Sequence, residues 1–202
     1  MKHVKHFTIV CLVIFTLSIL SGCWAPSPQS AVKNYYELML SHKYETAEKA
    51  MTSDSRKLAY TDKQKRKFLD SIFNKCSYKI LSTKIVKDTA TVRVKFTAPD
   101  MKNIVDVAVE DFQIRLSSKN IGNSPTIQID TLTSNMQRST IKYINTEFDV
   151  KLTKDKENNN WLVFVDENLI EAMSGNMLEA LNTFYSQTNY IMFPEAAPKP
   201  GQ

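Results

Sequence analysis

Ala90, Val92, Val94 and Phe96 alternate strictly with their intervening residues, and the same period of two returns in Phe148, Val150 and Leu152 and again in Trp161, Val163 and Val165. A strand patterned this way has one face to bury and one to leave in water, so the chain must supply something to cover it. Tyr78 and Ile80 alternate ahead of a turn signal at Lys87 and Asp88, and the polar run from Asp155 to Asn160 separates the later pair, which predicts two hairpins. Ile141 and Tyr143 lie in the phase opposite to Phe148. That predicts one long strand with a bulge near Asn145, bending the sheet.

The rest of the pattern is helical. Ser27 can cap, and Pro28 can occupy the first position of, a helix whose apolar face is Ala31, Tyr35, Leu38 and Met39, widened by Val32, Tyr36 and Leu40. A shorter helix follows from Tyr44 to Met51. Thr61 and Gln64 have the spacing of a capping box opening a third helix to about Asn74. Its basic run Lys63, Lys65, Arg66 and Lys67 reads as the solvated face, because Phe68, Ile72 and Phe73 supply the buried one. Residues 101–117 fit both periods, Ile104, Ala108 and Phe112 as a helix, Val105, Val107 and Val109 as a strand; the Asp100 cap and the length of the segment favour the helix. Leu132, Met136 and Thr140 suggest another short helix. From Asn168, a terminal helix carries Leu169, Ile170, Met173, Met177, Leu178 and Leu181, interrupted at Gly175. Helices followed by hairpins and a closing helix are an α+β order in one domain.

The first 22 residues stand apart. Lys2 and Lys5 make a positive start, and Phe7 to Leu20 is an apolar stretch shorter than the ~20 residues needed to span a bilayer. It ends in Leu20, Ser21, Gly22 and Cys23, which resembles the bacterial lipobox. The resemblance implies cleavage before Cys23 and a diacylglyceryl group on its sulfur, with a palmitate-type acyl anchor holding the protein to the outer, extracytoplasmic face of the cell membrane. Two acyl chains suffice for stable anchoring. Residues 23–27 are then a tether, 28–193 the domain and 194–202 a tail of disordered composition.

Cysteine and charge narrow the function classes. Cys11 leaves with the leader and Cys23 is consumed by lipid, so Cys76 stands alone beside Phe73 and Tyr78 as a small buried hydrophobe. His42, the one mature histidine, ends the first helix, where a cation is favoured. Removing Lys2 and Lys5 leaves 24 Lys and Arg against 21 Asp and Glu, about +3, which together with export argues against nucleic acid. There is no histidine cluster or cysteine pair for a metal, no glycine-rich phosphate loop, and no cofactor is expected.

The stretch Ser30 to Ala50, with the later runs Phe148 to Lys154 and Asn160 to Asp166, resembles small Gram-positive lipoproteins of unknown function in the nuclear transport factor two-like superfamily. That resemblance implies a cone: a strongly curved antiparallel sheet wrapped around helices, with a pocket at the open end. The chain departs from the pattern in having Asn158, Asn159 and Asn160 where a glycine is usual, and in an inserted helical segment 100–137 that stands where it would fill or roof the pocket.

Three functions follow as expectations. The leading one is a binding module for a small apolar ligand or an envelope protein, its site lined by Tyr35, Tyr36, Tyr78, Phe96, Met136, Phe148 and Trp161. A purely structural or regulatory envelope protein is the second. An isomerase or dehydratase, which the superfamily includes, is the least favoured: it would need Tyr36 set against Asp149, and Asp149 is out of phase with Phe148 and Val150, so no catalytic residue is assigned.

Overall fold

The computed structural model of the chain describes residues 26–58, 61–117, 129–137 and 140–188. The leader, Cys23 and the tail from residue 194 lie outside them. The fold is α+β, with one open four-stranded antiparallel sheet in the order β1-β2-β3-β4: β1 Ser77–Val86, β2 Thr89–Pro99, β3 Tyr143–Asp155 and β4 Asn160–Val163. Before it come α1 Pro28–Leu40, α2 Tyr44–Glu48 and α3 Lys63–Phe73. Between β2 and β3 lie α4 Met101–Ser117 and α5 Ile129–Asn135, and α6 Glu167–Ser174 and α7 Met177–Thr188 close the chain.

The alternation dictates the layering. Val92, Val94, Phe96, Val150, Leu152 and Val163 turn to one face and are buried there under α1, which lies on β1, β2 and β4, and α6, which lies on β2 and β3. The opposite face is solvated and carries cross-strand charge pairs, Arg93 reaching Asp149 at 3.1 Å and Glu147 at 3.3 Å. Residues 101–117 are helical as expected, with Asp100 accepting from the Asn103 amide at 3.2 Å. This helix packs on α5 and α7. The buried side of α7, including Leu181 and Phe184, is therefore spent within the fold. Among the described residues, no helix is long and apolar enough to cross a membrane.

Several boundaries differ from the sequence expectation for identifiable reasons. The α3 cap is Asp62, not Thr61: its Oδ1 accepts from the Gln64 and Lys65 amides, both at 2.9 Å. The bulge is in β1, where register slips between Ile80 and Ser82, and not near Asn145, where the β2–β3 pairing runs unbroken. Tyr143 is out of phase with Phe148 because it belongs to the solvated face. Helix α2 stops at Glu48; Met51 leaves it to bridge Val163 in parallel. Helix α5 ends at Asn135, ahead of Thr140. The closing helix starts at Glu167, capped by Asp166 rather than led by Asn168, and breaks at Gly175 as its sequence indicates.

Two positions show how the turns are made. Lys87 and Asn159 hold positive φ in the two hairpin turns, the asparagine taking the place usually given to glycine. Asp155 braces the second turn, accepting from the Glu157 amide and the Asn158 side chain.

Candidate functional site

The aromatic residues expected to line a pocket do not converge on one. Tyr36, Tyr78 and Phe96 pack ring against ring between α1 and the first two strands, with centroids 4.5 Å apart for Tyr36–Tyr78 and 5.1 Å for Tyr36–Phe96. The register explains the meeting, since Tyr78 faces Phe96 directly across β1 and β2. Edge-on rings at such distances are the ordinary packing of a filled core. Tyr35 backs a crevice of only about 10 Å³, Met136 is fully buried, and Phe148 sits half-buried opposite Val94. Burial raises the Tyr35 and Tyr36 hydroxyls above the usual tyrosine range, Glu48 adding to the first and Cys76 to the second. Both are neutral and apolar in effect. Cys76, half-buried beside Tyr36 and donating toward the Ile72 carbonyl at 3.3 Å, has its thiol pushed up to about 12 by burial.

Tyr36 and Asp149 are on opposite faces of the sheet. Asp149 is exposed and ion-paired to Arg93, while Tyr36 is sealed beneath α1, so neither can serve the other in acid–base chemistry. Among the described residues, no three His, Cys, Asp or Glu side chains are grouped to hold a metal ion.

Trp161 is the one expected lining residue at an open groove, with a volume of about 530 Å³. The groove runs between the outer flank of α1, the α2 corner and the start of β4. Its lining includes Pro26, Asn34, Leu38, Lys49, Asn160 and Leu162, and holds one cation and no carboxylate. Ala31 and Leu38 line it too. Both are partly buried against the core, at the margin of a face that centres on Val32, Tyr35, Tyr36 and Met39.

The two edges of the sheet are treated differently. On β4, residues 50–56 cover the edge: Val163 donates to the Ala50 carbonyl, and Thr52 and Arg56 donate to the Val163 and Val165 carbonyls. On β1, no described element lies beyond the strand. Its far half exposes Leu81, Ile85 and Val86 at 42%, 55% and 53%, interleaved with Lys84 and followed by Lys87. Ile85 shares the inner-facing phase with Ala90, yet no described helix reaches far enough to cover it.

One cluster escaped the sequence reading. The Tyr44 hydroxyl donates to Asp70 Oδ1 at 2.6 Å, and His42 Nδ1 stands 3.7 Å from the same oxygen. Arg66 lies over the Tyr44 ring and reaches Glu45 at 3.1 Å and the His42 carbonyl at 3.3 Å. Burial, then the Asp70 carboxylate, raises the Tyr44 hydroxyl above the tyrosine range. His42 therefore follows α1 in the left-handed conformation and helps clasp the corner to α3, rather than capping by charge alone. No local signal connects residues 42 and 70. Comparison of the chain with protein-family models, with curated proteins and with solved structures finds no match.

Proposed function

We propose that the chain is a lipid-anchored interaction module on the outer face of the cell membrane, docking an envelope protein along the free edge of β1. The observation that carries the docking reading is the contrast between edges: β4 is covered by the chain itself, whereas among the described residues nothing covers the three large apolar side chains and the row of backbone groups on β1. Such an edge can be extended by a strand from a partner, main-chain hydrogen bonds giving affinity and alternate side chains specificity. A small apolar ligand is the weaker reading, since most of the aromatic side chains proposed to hold it pack against one another or lie buried apart. Anchoring rests on the Leu20–Cys23 motif, and a curved, cone-like sheet of the nuclear transport factor two-like kind remains our proposal for the finer fold.

The test has two parts. Mass spectrometry of the membrane fraction is expected to find Cys23 as a lipid-modified N-terminus, and Cys23→Ala to release the chain to the medium; an unmodified Cys23 would refute anchoring. A photo-crosslinking residue at Ile85 is expected to give a discrete adduct with another envelope protein, absent when the same residue replaces Lys102 at the other end of the sheet. No adduct at Ile85 would refute docking through β1.

A further inference from the structure

The Trp161 groove opens beside the point where the chain leaves for its anchor. Pro26 lines it, and only Trp24 and Ala25 stand between Pro26 and Cys23. However those two are arranged, the three Cα-to-Cα steps from Cys23 to Pro26 reach at most about 11 Å. Resting on the reading that Cys23 carries lipid, this limit keeps the Pro26 end of the groove close to the bilayer surface.

The lining suits the surface it is held against. Lys49 is exposed, and among the described residues no ion pair ties it to a carboxylate. Asn34 and Asn160 add exposed amides, while the half-buried Leu38 and Leu162 and the edge of Trp161, which is 9% exposed, give the floor an apolar body. Tryptophan beside lysine is the pairing favoured at the level of lipid headgroups, where the ring is partly apolar in its surroundings and the ammonium meets phosphate. We infer that this groove is the membrane-facing surface of the domain and seats the headgroup of an anionic phospholipid, Lys49 against its phosphate and Trp161 at the headgroup boundary. The anchor then fixes orientation as well as location, leaving β1 turned to other proteins.

The chain has two tryptophans, so Trp24→Phe leaves Trp161 as the single emitter. The lipidated protein would be reconstituted into phosphatidylcholine vesicles with and without phosphatidylglycerol, their acyl chains brominated near the headgroup, with the lipid on Cys23 checked by mass. Trp161 emission is expected to be quenched, more strongly with phosphatidylglycerol. Lys49→Glu should lower the docked-to-undocked ratio at least about fivefold in the anionic vesicles, the worth of one lysine near such a surface. Lys102→Glu, beyond the opposite end of β3, should not. Lipidated Cys23 with unquenched Trp161 would overturn this inference alone, pointing to a groove filled by the tether or turned away. Equal quenching in both vesicles, or indifference to Lys49→Glu, would overturn the headgroup assignment. An unmodified Cys23 would overturn the anchoring reading and this inference with it.

Discussion

Gly175 is the position where one atom decides the most. It holds φ +73 between α6 and α7, and a Cβ there would stand 1.9 Å from the Pro99 carbonyl oxygen, inside the backbone of the neighbouring strand. Its own carbonyl accepts from the Met101 amide at the start of α4. Gly175→Ala is expected to cost about 2–5 kcal/mol, combining left-handed strain with overpacking, measurable as a lower urea midpoint. A loss below about 1 kcal/mol would mean that the strand end yields easily. Cys76 gives a second expectation at this scale. With its thiol held near 12 by burial, alkylation at mild alkaline pH should run roughly three orders of magnitude slower than for free cysteine and speed up on unfolding. Rapid labelling of the folded chain would show the site to be open. The sequence marked both residues, Gly175 as an interruption and Cys76 as a buried hydrophobe. The carbonyl that forbids a side chain at 175 comes from a strand far back in the chain, beyond local pattern.

Among elements, caps separate what can be read locally from what cannot. Thr61 and Asp62 are adjacent, and both are residue types that cap helices, but only Asp62 places its carboxylate over the first amides of α3. Asp62→Ala is expected to cost about 1 kcal/mol in urea unfolding, and Thr61→Ala markedly less; equal losses would return the capping role to both. Helix α7 is capped from outside itself, as Glu171 on α6 accepts from the Leu178 and Glu179 amides at 2.9 and 2.6 Å. Burial raises the Glu171 carboxyl while those amides draw it down. The bend at Gly175 folds Glu171 back onto the next helix, which spacing alone does not reveal. The α1 face was legible throughout, but helical periodicity did not grade it: Val32, Tyr35, Tyr36 and Met39 are fully covered, while Ala31, Leu38 and Leu40 are packed against the core only in part.

At the scale of the molecule, three buried tyrosines and one half-buried thiol are held protonated. Burial is the largest cause for Tyr35, Tyr36, Tyr44 and Cys76, and every one is raised from its ordinary value of 10.0 or, for the thiol, 9.0. A raised folded-state pKa favours the protonated form in the fold, so its contribution is complete below the unfolded value and lost as pH climbs above it. Stability is therefore expected to be level up to about pH 8.5 from these groups and to fall from about pH 9 upward, followed as the urea midpoint between about pH 8 and pH 10.5. A midpoint unchanged over that range would show that these side chains titrate as they do in water. Hydrogen exchange should divide the sheet in the same molecule: β2, bonded on both sides, exchanging slowest, and the outward amides of β1 fastest.

The sequence by itself determined most kinds of element and their order, because periods of two and of 3.6 are written in neighbouring residues: the two hairpins and the break at Gly175 could be read there, and at 101–117, where both periods fit, the Asp100 cap and the length of the segment pointed to the helix. It also carried the sense of each strand, placing Val94 inward and Asp149 outward. Only the tertiary structure decided what those faces meet. It made Tyr36, Tyr78 and Phe96 one packed cluster instead of a pocket wall, covered the β4 edge while leaving β1 with no described neighbour beyond it, and set Trp161 at a groove that Pro26 also lines. Those outcomes depend on contacts between residues far apart in the chain, whose energies are settled by packing and by which surfaces run out of cover, and no local pattern records them.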